Sequence, residues 1–210
     1  PLGGQLHQAD GTAWMAFYCN TMLAMALELA PHRPAYEDVA SKFFEHFVEI
    51  CDAMNTLGGG GLWDEQDGFY YDMLRGPDGR HVPLRVRSMV GIIPLFSTKI
   101  IGEDDVAGAQ AMRKGFAAIA RRRGTDEEDV REAGILVDFG GNRRMVVGVA
   151  ARGRVRRILA HLLDEDSFLS RYGLRAVSRW HADHPFSVDM PGDTATIDYE
   201  PAESTTSMFG

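Results

Sequence analysis

Four segments of the chain combine aromatic with ionisable side chains in a way that suits the binding and cleavage of a sugar. They cover residues 8–15, 62–72, 85–88 and 172–185. Cleaving a glycosidic bond requires one carboxylic acid to protonate the leaving oxygen and a second carboxylate to activate water or attack the sugar. Aromatic side chains suit the apolar faces of a sugar ring, while Arg, Asp and Gln side chains suit its hydroxyl groups. Carboxylate chemistry is therefore the best-supplied reaction type in this sequence.

Each of these segments also fits a structural role. Asp10 comes at the start of a long predicted helix, where a carboxylate is typical of an N-cap. The acidic turn in the second segment could bind calcium, but its spacing does not match a helix–loop–helix calcium loop. Arg85 and Arg87 could clamp a substrate or pair with the nearby acids. His181 and His184 have the spacing of metal ligands, but no third ligand is visible, so structural or hydrogen-bonding roles are favoured. We expect neither a metal nor a cofactor.

The composition argues against several classes of partner. Hydrophobic residues make up 45% and charged residues 25% of the 210 residues, which is ordinary for a globular protein. The net charge of −8 disfavours nucleic acid, because phosphate contacts need clustered Lys and Arg. No apolar run approaches the ~20 residues of a membrane span, so no membrane partner is expected. Cys19 and Cys51 form no CxxC motif, and a reducing, cytoplasmic location fits best.

Helical patterns dominate the elements that would position these segments. Residues 12–30 contain no Gly or Pro and are apolar nearly all round, which is typical of a helix buried on most sides. The other predicted helices cover residues 36–56, 88–96, 104–123 and 154–163. Within the third of these, Pro94 is expected to kink or shorten the helix.

Two regions depart from the helical pattern. Residues 63–86 are rich in aromatic residues that favour extended chain and contain a Gly-Pro-Asp-Gly turn, so we predict a β-hairpin excursion there. From Asp164 onward the chain is expected to be mostly loop. The tail of residues 186–210 has little to pack with inside this chain, and we expect a further stretch of protein to follow it.

Five stretches of the chain together resemble the glycoside hydrolases of family 63. They are QADGTAWMAFY (8–18), LWDEQDGFYYD (62–72), LRVRSMVGIIPLF (84–96), FLSRYGLRAVSR (168–179) and ESTTSMFG (203–210). The likeness is closest to large bacterial members with a mannosylglycerate-hydrolase-like or oligosaccharide-glucosidase-like catalytic domain. It runs over nearly the whole chain and keeps the order of the motifs, which makes it more specific than a single short pattern.

The resemblance implies an all-α fold, namely a partial (α/α)6 toroid with a small β-hairpin excursion and an active site in a funnel at one end. A twelve-helix toroid needs on the order of 400 residues. Residues 1–210 are therefore expected to be an incomplete domain that covers about half of the ring. Apolar surface exposed at its open side would favour self-association.

The resemblance also implies an inverting mechanism on an α-linked glucoside or mannoside, with two carboxyls ~6.5–9.5 Å apart. Asp10, in the Gln-Ala-Asp-Gly-Thr-Ala-Trp motif, matches the position of the family's general acid. The side chains expected to bind the carbohydrate are Trp14, Trp63, Asp64, Tyr71, Arg87, Trp180 and His181.

The chain departs from the family pattern at two places. The family's general base is a Glu beyond a segment that resembles Gly-Gly-Asn-x-x-Trp-Arg-Gly, and this sequence stops at Gly210, where that segment should begin. Glu203 is the last carboxylate and does not match the base motif, so the base is expected downstream and the chain alone is expected to be inactive. Arg171 stands where a Pro is expected, which alters a loop and removes no catalytic group.

Two other functions stay open from the sequence. The chain could be a non-catalytic helical module that keeps a sugar-binding or protein-interaction surface, because fold and function separate readily. A helical-toroid sugar epimerase with paired histidines is supported only by His181 and His184, and the carboxylate motif argues against it.

Overall fold

Two long stretches with helix-forming composition form the longest helices of the chain. The computed structural model describes residues 4–56, 61–76, 78–101, 115, 117, 120–121, 124, 136–138, 145–190 and 193–201. Helix α1 (Ala9–Leu29) and helix α2 (Ala35–Thr56) confirm the predicted helices at 12–30 and 36–56. Pro31 and Pro34 lie between them, because proline cannot continue a helix from within.

The remaining predicted helices have three different outcomes. Helix α3 (Arg152–Leu162) confirms the prediction for residues 154–163. Two short 3-10 helices, Met89–Gly91 and Ile93–Phe96, replace the single helix predicted for residues 88–96, because the Pro94 ring has no N–H to donate to a preceding turn. Most of the helix predicted for residues 104–123 lies outside the described residues, although the four described positions from 115 to 121 are helical.

The expected all-α toroid is wrong, because much of the chain between the helices forms short strands. The described strands are β1 (Gln5–His7), β2 (Trp63–Asp64), β3 (Phe69–Tyr70), β4 (Asp72–Arg75), β5 (His81–Leu84), β6 (Thr98–Ile101), β7 (Leu136–Asp138), β8 (Met145–Gly148), β9 (Leu169–Ser170), β10 (Gly173–Leu174), β11 (Phe186–Met190) and β12 (Asp193–Ile197). They pair into several small antiparallel sheets. The fold is therefore mixed α/β, since backbone groups that helices would have satisfied internally are satisfied between strands instead.

The chain divides into two compact units of discontinuous sequence. Unit 1 comprises Pro1–Asp10, Leu62–Ile92 and Arg154–Gly210, and unit 2 comprises Gly11–Gly61 and Ile93–Gly153. The sequence pattern, interpreted as one incomplete domain over residues 1–210, did not indicate this division.

Unit 1 is built on a three-stranded antiparallel sheet in the order β1-β4-β5. Strands β2 and β3 pair as a second hairpin just before it, so the predicted β-hairpin excursion at 63–86 is confirmed. The core beside these strands contains Phe69, whose ring stacks on that of Phe168 with centroids 5.7 Å apart. Ile158 of α3 is fully buried in the same unit. Gly91 lies so close to the Phe69 ring that a Cβ there would be 2.2 Å from a ring carbon.

The last part of unit 1 is more regular than expected. Strands β11 and β12 pair over five residues each, with Phe186 opposite Ile197. The prediction of an irregular tail from residue 186 is therefore wrong as far as residue 197. Residues 202–210 lie outside the described residues.

Unit 2 holds most of α1, all of α2 and a three-stranded antiparallel sheet in the order β6-β8-β7. Fully buried side chains include Leu23 on α1 and Phe44 and Phe47 on α2. Asn20 of α1 donates from Nδ2 to the carbonyl oxygen of Ser97 at 3.1 Å, and Asn55 of α2 donates to that of Val149 at 3.0 Å. Both amides thereby bind backbone next to β6 and β8.

Helix α1 exposes a large apolar surface within unit 2. Trp14, Met15, Phe17, Tyr18 and Met25 are each more than two-fifths exposed. Among the described residues, no helix is both long enough and apolar enough to span a membrane. These side chains form the exposed apolar surface of α1.

One arginine holds together the loop that follows α3. Arg175 donates from Nη1 to the carbonyl oxygens of Glu165 at 2.9 Å, Ser167 at 3.2 Å and Leu169. Its Nε donates to the hydroxyl of Tyr199 at 3.3 Å. A single guanidinium thereby binds three backbone carbonyls of this loop and one side chain further along the chain.

We expect Arg175→Lys to lower the free energy of unfolding by about 1–3 kcal/mol, because an ammonium cannot reproduce the planar set of donors. Urea denaturation would measure the change. Arg171→Lys, at the exposed tip of the β9–β10 hairpin, is the matched control and should change stability by less than about 0.5 kcal/mol. Equal effects of the two substitutions would contradict the structural role of Arg175.

Candidate functional site

Asp10 lies in the first turn of α1, shortly after strand β1 ends. Strand β1 pairs antiparallel with β4, and its last residue, His7, lies opposite Met73. This register brings Asp72, the first residue of β4, to the start of the helix. Its Oδ1 accepts a hydrogen bond of 2.7 Å from the backbone N–H of Ala9. A carboxylate thereby satisfies one of the N–H groups that a helix N-terminus leaves unpaired.

The carboxyls of Asp10 and Asp72 form an electrostatically coupled pair. Both residues are half-buried. Burial raises the pKa of Asp72, the hydrogen bond from Ala9 lowers it, and the charge of Asp10 raises it, with a net rise. Two neighbouring carboxyls retain a proton more readily than an isolated one, because both cannot ionise without repulsion. The charge of Asp10 therefore acts on the Asp72 carboxyl at the start of α1.

A second cluster surrounds the guanidinium of Arg87, whose side chain is only 13% exposed. Arg87 Nη2 lies 3.2 Å from Asp67 Oδ1, and its Nε donates to the Tyr71 hydroxyl at 3.4 Å. The same hydroxyl donates to Asp67 Oδ2 at 2.8 Å. Burial raises the pKa of Tyr71 above its usual value, which keeps the hydroxyl protonated as a donor. The three side chains thus satisfy one another.

Trp180 packs into this cluster instead of standing free. The Arg87 guanidinium lies 4.3 Å from the Trp180 ring centroid. The His184 imidazole stacks on the same indole at 4.3 Å, with the two planes only 5° apart. Trp180 stays 36% exposed, so part of the ring is accessible to a ligand although two planar groups already contact it.

His181 is fully buried and supports the cluster from within. Its Nε2 accepts a hydrogen bond of 2.8 Å from the backbone N–H of Arg87. The ring proton therefore lies on Nδ1, which donates to the carbonyl oxygen of His184 at 2.8 Å. Burial lowers the pKa of His181, the His184 carbonyl raises it, and the charge of Arg87 lowers it, with a net fall. This arrangement matches the hydrogen-bonding role that the sequence favoured, and no face of the ring is open to a sugar.

Trp63 and Asp64 are likewise engaged inside unit 1. Trp63 is 5% exposed and packs against Tyr70, with centroids 4.9 Å apart. The guanidinium of Arg154 lies 5.0 Å from the centroid of the Trp63 ring. Asp64 Oδ2 pairs with Arg85 Nη2 at 2.8 Å. Both side chains therefore hold the β2–β3 hairpin in place, although the sequence suggested a sugar-binding wall.

The remaining predicted residue, Trp14, lies in unit 2. It is 46% exposed, and its ring contacts Phe17 edge-on at 5.8 Å and Phe96 at 6.1 Å between centroids. Trp14 thus keeps an accessible aromatic surface.

The sequence analysis missed Asp72 and Asp67. Both stand in the LWDEQDGFYYD stretch, which was singled out as a whole without weighing each acid. Asp72 binds a backbone N–H of a segment more than 60 residues away, so no local spacing in the sequence indicated its partner. Within the described ranges, no three His, Cys, Asp or Glu side chains come together in a way that could hold a metal ion.

Comparison with known proteins adds one relative. No protein-family model matches the chain, and no solved structure matches it. The chain is 38% identical over 223 residues to a protein of Saccharomyces cerevisiae named "Uncharacterized protein YMR196W". The similarity takes in 100% of this chain and 20% of the yeast protein. The chain thus spans about a fifth of the length of the curated relative it matches.

We expect the stability of the protein to fall as the pH drops below about 6.5, the ordinary pKa of histidine. Because the pKa of His181 is lowered in the folded state, the unfolded chain binds a proton that the folded chain resists. The contribution of the neutral His181 to the free energy of unfolding is complete above about pH 6.5. It is lost as the pH falls from there toward the lowered pKa of His181 in the folded state. His181→Gln should flatten this part of the curve of unfolding free energy against pH, measured by urea denaturation.

The matched control is His81→Gln, on the exposed part of β5, which should keep the wild-type pH dependence. An unchanged curve in His181→Gln would refute the buried, neutral state of this histidine.

Proposed function

We propose that the chain is the acid-bearing part of an inverting glycoside hydrolase that acts on α-linked glucosides or mannosides. Asp10 would be the general acid, and the general base would come from sequence outside these 210 residues. The observation that carries the proposal is the setting of Asp10 at the start of α1, where Asp72 accepts a hydrogen bond from the neighbouring Ala9 N–H and the charge of Asp10 acts on Asp72. The likeness of the motif around Asp10 to family 63 supports the same assignment. The yeast relative is about five times as long, which leaves ample sequence for a base.

The chemistry assigned to Asp10 is a single proton transfer. In an inverting reaction the acid protonates the glycosidic oxygen while a carboxylate on the other side of the sugar activates water. Asp10 is half-buried, so it is partly shielded from solvent and still reachable.

Carbohydrate contacts in unit 1 would come from the accessible part of the Arg87 cluster. Trp180 offers an indole that is 36% exposed, and the Arg87 guanidinium at 4.3 Å from its ring centroid would hold that indole in place. Trp63, Asp64, Tyr71 and His181 would support these groups without touching the sugar, since each is engaged with its own neighbours.

A non-catalytic sugar-binding or interaction module is the second candidate. The observation that favours it is the internal pairing of Asp64 with Arg85 and of Asp67 with Arg87. Such pairs stabilise a surface without supplying a reactive group. This candidate predicts binding of a sugar without turnover.

We also place the protein in the cytoplasm. Cys19 and Cys51 are both free and buried. Burial raises the pKa of each thiol, which keeps the thiols protonated and unreactive. Unpaired cysteines of this kind suit a reducing compartment.

The test of catalysis is hydrolysis of a panel of α-glucosides and α-mannosides, with mannosylglycerate included. The proteins are the 210-residue chain and a hybrid in which this chain replaces the matching fifth of the yeast relative. We expect the hybrid to turn over at least one substrate and the chain alone to turn over none. Asp10→Asn in the hybrid should lower kcat by about 10²–10⁴-fold, because it removes the proton donor.

Asp78→Asn, on the exposed turn between β4 and β5, is the control and should leave kcat unchanged. A folded hybrid that binds a sugar but hydrolyses nothing would favour the second candidate. Full activity in Asp10→Asn would remove Asp10 as the acid.

We further propose that the 210-residue chain self-associates through the apolar side chains that α1 exposes, which include Met15 at 54% and Tyr18 at 52% exposure. Light scattering over a range of concentrations should show a mass that rises with concentration, because burying such side chains is favourable. Met15→Glu should weaken the association, and Ala53→Glu, an equal charge change on the exposed side of α2, should not. A constant monomer mass would rule this out.

A further inference from the structure

We propose that Asp72 is the positioning residue of Asp10: it fixes the first turn of α1 against β4 and sets a second carboxyl beside the acid. This inference rests on the proposed role of Asp10 as general acid. It assigns Asp72 an action through Asp10, not through contact with the sugar.

The position of Asp72 follows from the register of β1 with β4. Gln5 lies opposite Arg75, Leu6 opposite Leu74 and His7 opposite Met73. The next residue along β4 is Asp72. It lies opposite the point where the paired segment leaves β1 and enters α1. The antiparallel pairing therefore brings this side chain to the helix N-terminus, and no flexible loop is needed to carry it there.

The hydrogen bond from Ala9 fixes the geometry at that point. The distance of 2.7 Å between Ala9 N and Asp72 Oδ1 is short for an N–H to oxygen bond, as expected when the acceptor is ionised. Ala9 is fully buried, so its N–H depends on this acceptor. Because Asp10 follows Ala9 directly, the bond also limits where the Asp10 backbone can move.

A carboxylate is an ordinary acceptor at a helix N-terminus, but it differs from the other common caps in its charge. Ser, Thr or Asn would accept the same hydrogen bond without placing a second negative charge beside Asp10. Two half-buried carboxyls repel each other when both are ionised. The charge of Asp10 is accordingly one of the influences that raise the pKa of Asp72. A side chain that binds the Ala9 N–H and also places a charge near Asp10 suits a role in positioning that residue.

The electrostatics of Asp72 agree with this geometry. Burial is the largest influence on its pKa and raises it, the Ala9 N–H lowers it, and the charge of Asp10 raises it. Among the described residues, Asp10 is the charged group that raises the pKa of Asp72. Replacing Asp10 with a neutral residue should therefore lower the pKa of Asp72.

The experiment is a carboxyl titration by ¹³C NMR of the 210-residue chain and its Asp10→Asn and Asp78→Asn variants. We expect the midpoint of Asp72 to fall in Asp10→Asn, toward but not into the ordinary range, because burial still raises it. Asp78→Asn should leave the Asp72 midpoint unchanged. An Asp72 midpoint that is the same in Asp10→Asn and the wild type would reduce Asp72 to a helix cap and overturn the inference.

Two substitutions at Asp72 separate the cap from the charge. Asp72→Asn keeps an oxygen acceptor, so hydrogen exchange at the Ala9 amide should stay near the wild-type rate. Asp72→Ala removes the acceptor, and exchange should be about fivefold faster, as expected for a lost cap. Equal exchange rates in the two variants would overturn the assigned hydrogen bond.

The pH–rate profile of the hybrid protein links the pair to catalysis. Asp72→Asn should move the alkaline limb of the profile to lower pH, because removing a neighbouring negative charge favours the ionised acid. A profile that stays in place overturns the positioning role. If the Asp72 midpoint shifts in Asp10→Asn but the hybrid hydrolyses nothing, the interaction of the two carboxyls is supported and the hydrolase proposal fails. If hydrolysis depends on Asp10 without any coupling, the hydrolase stands and the role of Asp72 fails.

Discussion

A guanidinium that is nearly buried needs partners for its charge and for its N–H donors. In unit 1 this constraint applies to Arg87, and several elements of the unit contact its guanidinium. Arg87 Nη2 forms an ion pair with Asp67 Oδ1 at 3.2 Å. The flat face of the guanidinium lies 4.3 Å from the centroid of the Trp180 ring. Its backbone is held as well, because its N–H donates to His181 and its carbonyl accepts from the Ser178 N–H at 2.8 Å. Removing one partner of such a buried pair leaves an uncompensated charge, which costs about 3–5 kcal/mol. The side chain and peptide groups of Arg87 thus connect its own segment to the segment around His181, which is 94 residues away in sequence.

The helices could be predicted from the sequence, whereas the strands mostly could not. An apolar run predicted most of α1 and an amphipathic three- and four-residue pattern predicted α2, because helix hydrogen bonds form within one segment. Strands of two to five residues take their partners from elsewhere in the chain, and β1 pairs with β4 across more than 60 residues. In residues 186–197 the sequence does contain a strand pattern, because Phe186 and Val188 alternate with polar residues. Interpreting them as an irregular tail overlooked that period of two.

Most of the residues expected to bind a sugar fall in unit 1, and several of them contact one another. Their binding of a sugar stays a prediction. Their surroundings could not be predicted, because residue type does not reveal whether an aromatic ring faces solvent or the interior. Trp63 is almost fully buried while Trp180 keeps a third of its surface, although both belong to similar acidic and basic stretches. Asp72 was missed for a related reason: its partner, the Ala9 N–H, is a backbone group that sequence spacing alone does not identify.

Unit 1 is assembled from three separate pieces of the chain, with unit 2 sequence between them. During synthesis, at about 5–20 residues per second, the first two pieces leave the ribosome several seconds before the third. Strands β4 and β5 and the Arg87 side chain must therefore wait for His181, Trp180 and α3. In that interval Phe69 and Trp63 lack Phe168 and Arg154, the partners that later cover them. The order in which the chain emerges thus leaves these aromatic side chains without their final neighbours until the last piece of unit 1 has been synthesised.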